Sequence, residues 1–252
     1  MFPYYEGMGR VYTDEELEKL KSSDKNLQNN NKNVIIKGEK EKNEIIKELD
    51  SLNITYNPVE ELKEVLSERD IIQKISGGDE TEGSCASVAF AYIANKNGLD
   101  VLDYRGGESR SYFGRGGTIY KISQLKGIKS IVEESSNDVI TAMKLLKEVE
   151  DGKEYFLGTG QHAAIVRRNE GKLQYLELQD IENNGFKQFT TKTLKNRFGC
   201  KQSHSKYGYT LKKKNILMEV DSFKNNEEFK EIMGYLNTQE NKQMKGLSGH
   251  AK

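Results

Sequence analysis

The chain has 252 residues, enough for one large domain or two small ones around a well-packed core. Its 39 basic and 39 acidic residues cancel, so no net field directs it to nucleic acid or to an anionic membrane surface. No apolar run is long enough to span a bilayer, and the opening MFPYYEGMGRVY lacks the basic-then-apolar layout of a secretory signal. The expected location is therefore a cytoplasm.

In chain order, residues 1–33 hold a short charged helical patch, TDEELEKLKSS, and an Asn-rich run, KNLQNNNKN, which together read as a flexible segment. Residues 34–76 read as an accessory unit: a strand at 34–36, a helix over 41–52, an extended segment at 54–56 stopped by Asn57-Pro58, and a helix near 60–75 in two pieces. A glycine-rich approach, SGGDETEG, then leads to Cys85. With Ser84 as N-cap and Gly98 as the stop, Cys85, Val88, Ala89, Tyr92 and Ile93 fall on one face of a helix.

After that helix come a loop, YRGGESRSYFGRGG, a strand-like or short helical stretch around 119–133, and a helix over 136–150. The segment EYFLGTGQHAAIVRRNEGKLQYLELQ reads as three strands, the last two forming a hairpin. A helix at 191–198, a strand near 208–220 and a helix at 224–236 complete a domain over 77–238, and residues 239–252 read as a frayed tail.

Cys85 sits in the first turn of its helix, where unpaired backbone N–H groups and the positive end of the helix dipole stabilise a thiolate and can receive an oxyanion. A small buried thiol is the competing reading, because free cysteine is among the most buried residue types. A base decides between the two. Of the three histidines, His250 lies in the tail and His162 opens a strand directly after GTGQ. If the following hairpin turns at Asn169-Glu170-Gly171, Glu177, Leu178 or Gln179 comes opposite His162, and Glu177 and Gln179 share a face. Either polar side chain can fix the imidazole tautomer. Nucleophile, base and orienter follow one another in the order Cys85, His162, Glu177 or Gln179.

These residues carry a resemblance. SCASVAFAYIANKNGLDVLDY resembles the cysteine helix of papain-fold toxins, and GQHAAIV followed by ELQ is similar to their histidine strand and the strand after it, with Gln161 intervening before His162 and Leu178 in a proline position. GGDETEGSCASVAFAY, DYRGGESRSYF, GQHAAIVRRN, YLELQD, RFGCKQSH and IMGYLNTQENKQMKG resemble, more closely, the cysteine-histidine domain of tailed-phage and prophage minor capsid, or head morphogenesis, proteins.

The resemblance implies an α+β, papain-like fold with the nucleophile at a helix N-terminus packed on an antiparallel sheet. It further implies a phage-associated hydrolase of protein amides, peptidase or glutamine deamidase, with Cys85 as nucleophile, His162 as base and Glu177 or Gln179 as orienter. It implies no cofactor or metal, and as partners a protein substrate or phage head proteins, in the bacterial cytoplasm or on the virion. The upstream glutamine of papain-like proteases has no counterpart in GGDETEG. Thr81, Ser84 or backbone N–H groups would then serve the oxyanion. A non-catalytic head-assembly component is the alternative.

Three further features attract attention. Arg105, Arg110 and Arg115 lie among five glycines and read as a substrate loop able to grip a carboxylate or phosphate. The same loop admits an ADP-ribosyltransferase reading, with Arg105, Ser109 or Ser111, and Glu177 in the roles, although its spacing is poor. Cys200 and His204, four residues apart, have the spacing of a helix face or of metal ligands, but two ligands do not make a zinc site and a structural role is expected.

Overall fold

A computed structural model describes residues 39–75, 84–180, 184–206 and 209–238. The expected strand at 34–36, the flexible segment at 1–33, the tail at 239–252, Thr81 and His250 lie outside the described residues. The fold is α+β. Its centre is a six-stranded, wholly antiparallel sheet of β3 (Ser130–Ser135), β4 (Glu154–Thr159), β5 (His162–Asn169), β6 (Lys172–Glu177), β7 (Gly185–Gln188) and β10 (Lys213–Glu219), in the order β3-β10-β4-β5-β6-β7. β1 (Glu60–Glu61) pairs with β2 (Leu99–Asp100), and β8 (Ser205–Lys206) with β9 (Tyr209–Thr210), as two small ribbons.

β5 shows why the sheet needs cover on both sides. Its AAIV run is apolar without alternation, the pattern of a strand buried on two faces. Ala163 and Ile165 join one apolar cluster, with Phe156 of β4 and Ile216 of β10, while Ala164 and Val166 join another, with Leu157 and Leu217. The first cluster is roofed by α1 (39–51), α2 (Glu68–Ile75), α3 (Cys85–Lys96), α4 (Gly107–Phe113), α5 (Gly116–Ile122) and α8 (Glu227–Met233). The second is roofed by α6 (Asp138–Leu145) and α7 (Thr191–Asn196).

Both connections within β4–β6 are two-residue hairpins. Thr159 pairs with His162 across Gly160-Gln161, and Asn169 with Lys172 across Glu170-Gly171, whose φ values of 51° and 74° suit the twist of the strands. The sequence pattern marks only the second as a hairpin.

α3 is the central helix. Ten of its twelve residues are buried, which removes the expected one-sided face: a helix covered all round needs apolar or small residues all round. Phe90 stacks on Phe156 of the sheet at 4.9 Å and 11°, and meets Phe113 of α4 and Phe229 of α8 at 6.2 and 6.3 Å. Asn95 ends the run by donating to the Ala91 and Val101 carbonyls, and Gly98 turns the chain at φ 88°.

Several expected elements differ. The helix near 60–75 forms only over Glu68–Ile75, because β1 takes Glu60–Glu61 into a ribbon with the chain leaving α3. The segment 54–56 is not paired as a strand. The glycine-rich stretch after Tyr104 is two short helices, α4 and α5, whose Tyr112, Phe113, Ile119 and Ile122 are buried; burial of these side chains overrides the weak helix propensity of glycine. Among the described residues no helix is long and apolar enough to cross a membrane.

Ile45 and Leu49 of α1 are fully buried in the same cluster as α3, so this helix is part of the central core. Leu49→Ala is expected to cost about 2–5 kcal/mol, and Phe90→Ala about 3–5 kcal/mol. Both are expected to move one cooperative urea transition followed by circular dichroism, not to split it in two.

Candidate active site

The start of α3 departs from a side-chain cap. Ser84 already has helical backbone angles, φ −83° and ψ −9°, and its carbonyl accepts from Val88 N–H at 2.9 Å. Its hydroxyl is not an N-cap and instead accepts from Gln179 Nε2 at 2.7 Å, so the expected capping role of Ser84 is replaced by a contact across the fold. The first-turn N–H groups of α3 are consequently not capped by Ser84. Those of Cys85 and Ala86 act on the Cys85 thiol, as does the Ala163 N–H from β5.

Cys85, Ala86, His162 and Ala163 border one cleft of about 160 Å³ at the end of the sheet, closed by Gly114 and Gly116 on one side and by Lys214 and Ile216 of β10 on another. That volume matches a pocket for a benzene-sized group, about 150 Å³. Burial is the main influence on the Cys85 thiol and pushes its pKa up; the three N–H groups and the Arg197 charge oppose it without reversing it. The resting side chain is a thiol.

His162, at the first position of β5, lines the cleft. By alternation it belongs to the face of Ala164 and Val166, whereas Ala163 and Ile165 face α3. It therefore borders the cleft from the sheet's end, with its ring edge-on to Phe198 at 4.9 Å and 81°. Its pKa is lowered to about 3, first by burial and then by the Arg197 charge, with Glu177 acting in the opposite sense. The imidazole is neutral at neutral pH.

Glu177 does not orient this ring by a hydrogen bond. Arg197 Nε donates to Glu177 Oε2 at 2.7 Å and Nη2 to Oε1 at 2.9 Å, and the Gln179 backbone N–H donates to Oε1 at 3.0 Å. Burial pushes the Glu177 carboxyl up, but these donors and the Arg197 charge outweigh it and hold the group below the usual carboxylate range. Gln179 Oε1 accepts from Arg197 Nη2 at 3.0 Å. Both candidate orienters thus turn to an arginine that no sequence pattern singles out.

Arg197 and Phe198 follow α7 directly, in the segment RFGC. The Phe198 carbonyl accepts from Gln161 N–H at 2.8 Å, which fixes this segment beneath the β4–β5 turn. The approach leaves no room for a side chain at Gly160, at φ 63°, where a Cβ would lie 2.3 Å from the Phe198 oxygen; Gly199, at φ 58°, is in left-handed backbone, and a Cβ there would lie 3.2 Å from Gln161 Oε1. The two glycines are the local signal that a tight contact exists there.

The remaining expected residues lie elsewhere. The substrate-loop arginines do not border the cleft. Arg105 Nη2 donates to the Gly234 carbonyl at 2.7 Å and burial lowers its pKa to about 10, while Arg115 lies over the Tyr112 ring at 5.4 Å. Arg110 is in α4. Ser109 is buried and donates to the Tyr235 carbonyl at 2.9 Å, which occupies the hydroxyl an ADP-ribosyltransferase reading would use. Cys200 and His204 fall beyond the end of α7, not on one helix face: Cys200 Sγ meets Thr159 Oγ1 at 3.6 Å, and His204 Nε2 meets the buried Asp138 carboxylate at 2.5 Å. Both cysteines are free thiols. Among the described residues no group of three or more His, Cys, Asp or Glu is placed to hold a metal ion.

No protein-family description and no curated protein sequence matches the chain.

Gly160→Ala is expected to destabilise the fold by about 2 kcal/mol or more in chemical denaturation, since it combines left-handed backbone with a backbone clash. A second expectation concerns pH. Because the native imidazole of His162 titrates near 3 and the ordinary value is 6.5, the unfolded chain binds the proton first as pH falls. The His162 contribution is complete above pH 6.5 and is lost as pH drops toward 3, by no more than about 1.4 kcal/mol per unit. His162→Gln is expected to flatten stability between pH 6.5 and 5, measured by urea unfolding against the wild type.

Proposed function

We propose that the protein is a papain-like cysteine hydrolase acting on protein amides, of the kind suggested by its resemblance to the cysteine-histidine domain of phage head morphogenesis proteins. The observation that carries this reading is the shared cleft: Cys85, at the first position of a buried helix, and His162, at the first position of the neighbouring strand, border one cavity. The backbone N–H groups of the α3 start supply what the missing upstream glutamine would otherwise provide.

In the reaction, Cys85 Sγ attacks the amide carbonyl carbon as its proton passes to the His162 ring. The carbonyl oxygen, now negative, is received by the Cys85 and Ala86 N–H groups. The imidazolium returns the proton to the leaving nitrogen, the C–N bond breaks, and an acyl-thioester remains. Water, deprotonated by the neutral His162, then releases the carboxylate and restores the thiol. A main-chain amide yields two peptides, and a glutamine side chain yields glutamate and ammonia. The neutral resting pair fits a mechanism in which the proton moves with the attack, not one that begins from a preformed ion pair.

A second reading, a head-assembly component without catalysis, draws support from the same electrostatics, since burial disfavours both charged partners. Expression of wild type and Cys85→Ala in a bacterial host separates the two. The hydrolase reading expects new protein termini or glutamine-to-glutamate conversions by mass spectrometry with wild type only, and their loss by at least about 100-fold in His162→Ala. Identical proteomes from wild type and Cys85→Ala, with phage head proteins included, would favour assembly.

A further inference from the structure

We infer that Arg197 is the positioning residue of the site: its guanidinium bridges Glu177 and Gln179, and Gln179 carries that fixed fork to Ser84, the residue before the nucleophile. The inference rests on the cysteine-hydrolase reading for its purpose, and it adds a cation that acts on the thiol. Arg197 gives two edges of its fork to Glu177 and Gln179, at 2.7, 2.9 and 3.0 Å, and Gln179 Nε2 reaches Ser84 Oγ at 2.7 Å. One continuous set of hydrogen bonds therefore links the chain after α7, the end of β6 and the start of α3. Glu177 is 4% exposed and Ser84 0%, so the path is anchored in the interior at both ends, while Arg197 and Gln179 between them are half-buried.

The charge of Arg197 acts where the chemistry is. It favours the thiolate of Cys85 and disfavours the imidazolium of His162. Among the described residues the charged and titratable groups around Cys85 are Arg197 after α7, Glu177 on β6, His162 on β5 and Lys214 on β10; the first turn of α3 carries no acid. His162 is neutral, and Glu177 is engaged by Arg197 itself. Thus the cation that favours a thiolate in this site is a guanidinium that cannot be deprotonated, and His162 is left as a proton carrier. The order differs from a site in which the histidine supplies both charge and proton transfer.

The test is the pH dependence of Cys85 alkylation by iodoacetamide, read by mass on the Cys85 peptide with buried Cys200 as the internal folding reference. Arg197→Met is expected to raise the midpoint of Cys85 alkylation by about one pH unit or more, and Arg197→Lys, which keeps the charge but not the fork, by less. His162→Ala is expected to leave the midpoint within about 0.3 unit, because a neutral ring contributes no charge. A midpoint unchanged in Arg197→Met, or raised as much in His162→Ala, overturns the inference.

If Arg197→Met exposes Cys200 to rapid labelling and so does not fold, Gln179→Leu carries the test. It cuts the link to Ser84 while leaving the Arg197–Glu177 pair, and is expected to slow Cys85 alkylation at neutral pH about threefold or more; an unchanged rate contradicts the link. Thiol titration does not depend on turnover. Shifted midpoints beside identical wild-type and Cys85→Ala proteomes would sink the hydrolase reading alone, whereas the reverse pattern would sink only the role of Arg197.

Discussion

The structure depends on one packing constraint, the burial of α3 on every side. Ala86, Ala89, Ala91 and Ala94 keep the helix thin, so the sheet can approach on one face and the outer helices on the others, while Phe90 fills the space between them. Such a helix cannot shift without opening the core. Its first residue, Cys85, is consequently held at a fixed place at the end of the sheet, and the strand beside it, β5, presents its own first residue at the same end. Burial also sets the chemistry there, because it raises the thiol and lowers the imidazole together.

The segment after α7 is the counterpart of that constraint on the opposite face. Arg197 and Phe198 leave the helix in succession, one toward Glu177 and Gln179, the other edge-on to His162. Gly160 lets the two backbones meet closely enough for the Phe198 carbonyl to accept from Gln161. Cys85 and His162 are thus supported by different layers, and the Gln179–Ser84 contact ties the layers to each other.

Much of this was legible in the residues. The β4–β6 strands follow from short apolar runs broken by Gly160 and Gly171, and the cysteine helix follows from an unbroken apolar stretch closed by Gly98. Local pattern failed where long-range contacts decide. α4 and α5 are rich in glycine and read as a loop, yet their aromatic and aliphatic side chains find the core. Ser84 has the chemistry of an N-cap, but its hydroxyl meets a glutamine 95 residues away. Glu177 lies on the expected strand and face, and an arginine whose position no periodicity reveals claims its oxygens. Cys200 and His204 drew attention by residue type, whereas the contacts that RFGCKQSH makes with Glu177, Gln179 and His162 come from its first two residues.

The central claim is that Cys85 and His162 meet across one cleft, and a cross-link measures this most directly. A short dihalogenated ketone alkylates the thiol first and then any nucleophilic nitrogen within its reach, and neutral His162 is such a nitrogen. Peptide mapping by mass spectrometry is predicted to find a single bridge joining the peptides that contain Cys85 and His162, absent from His162→Ala. A reagent held by Cys85 alone, or bridged to any other side chain, in protein that remains folded would contradict the account.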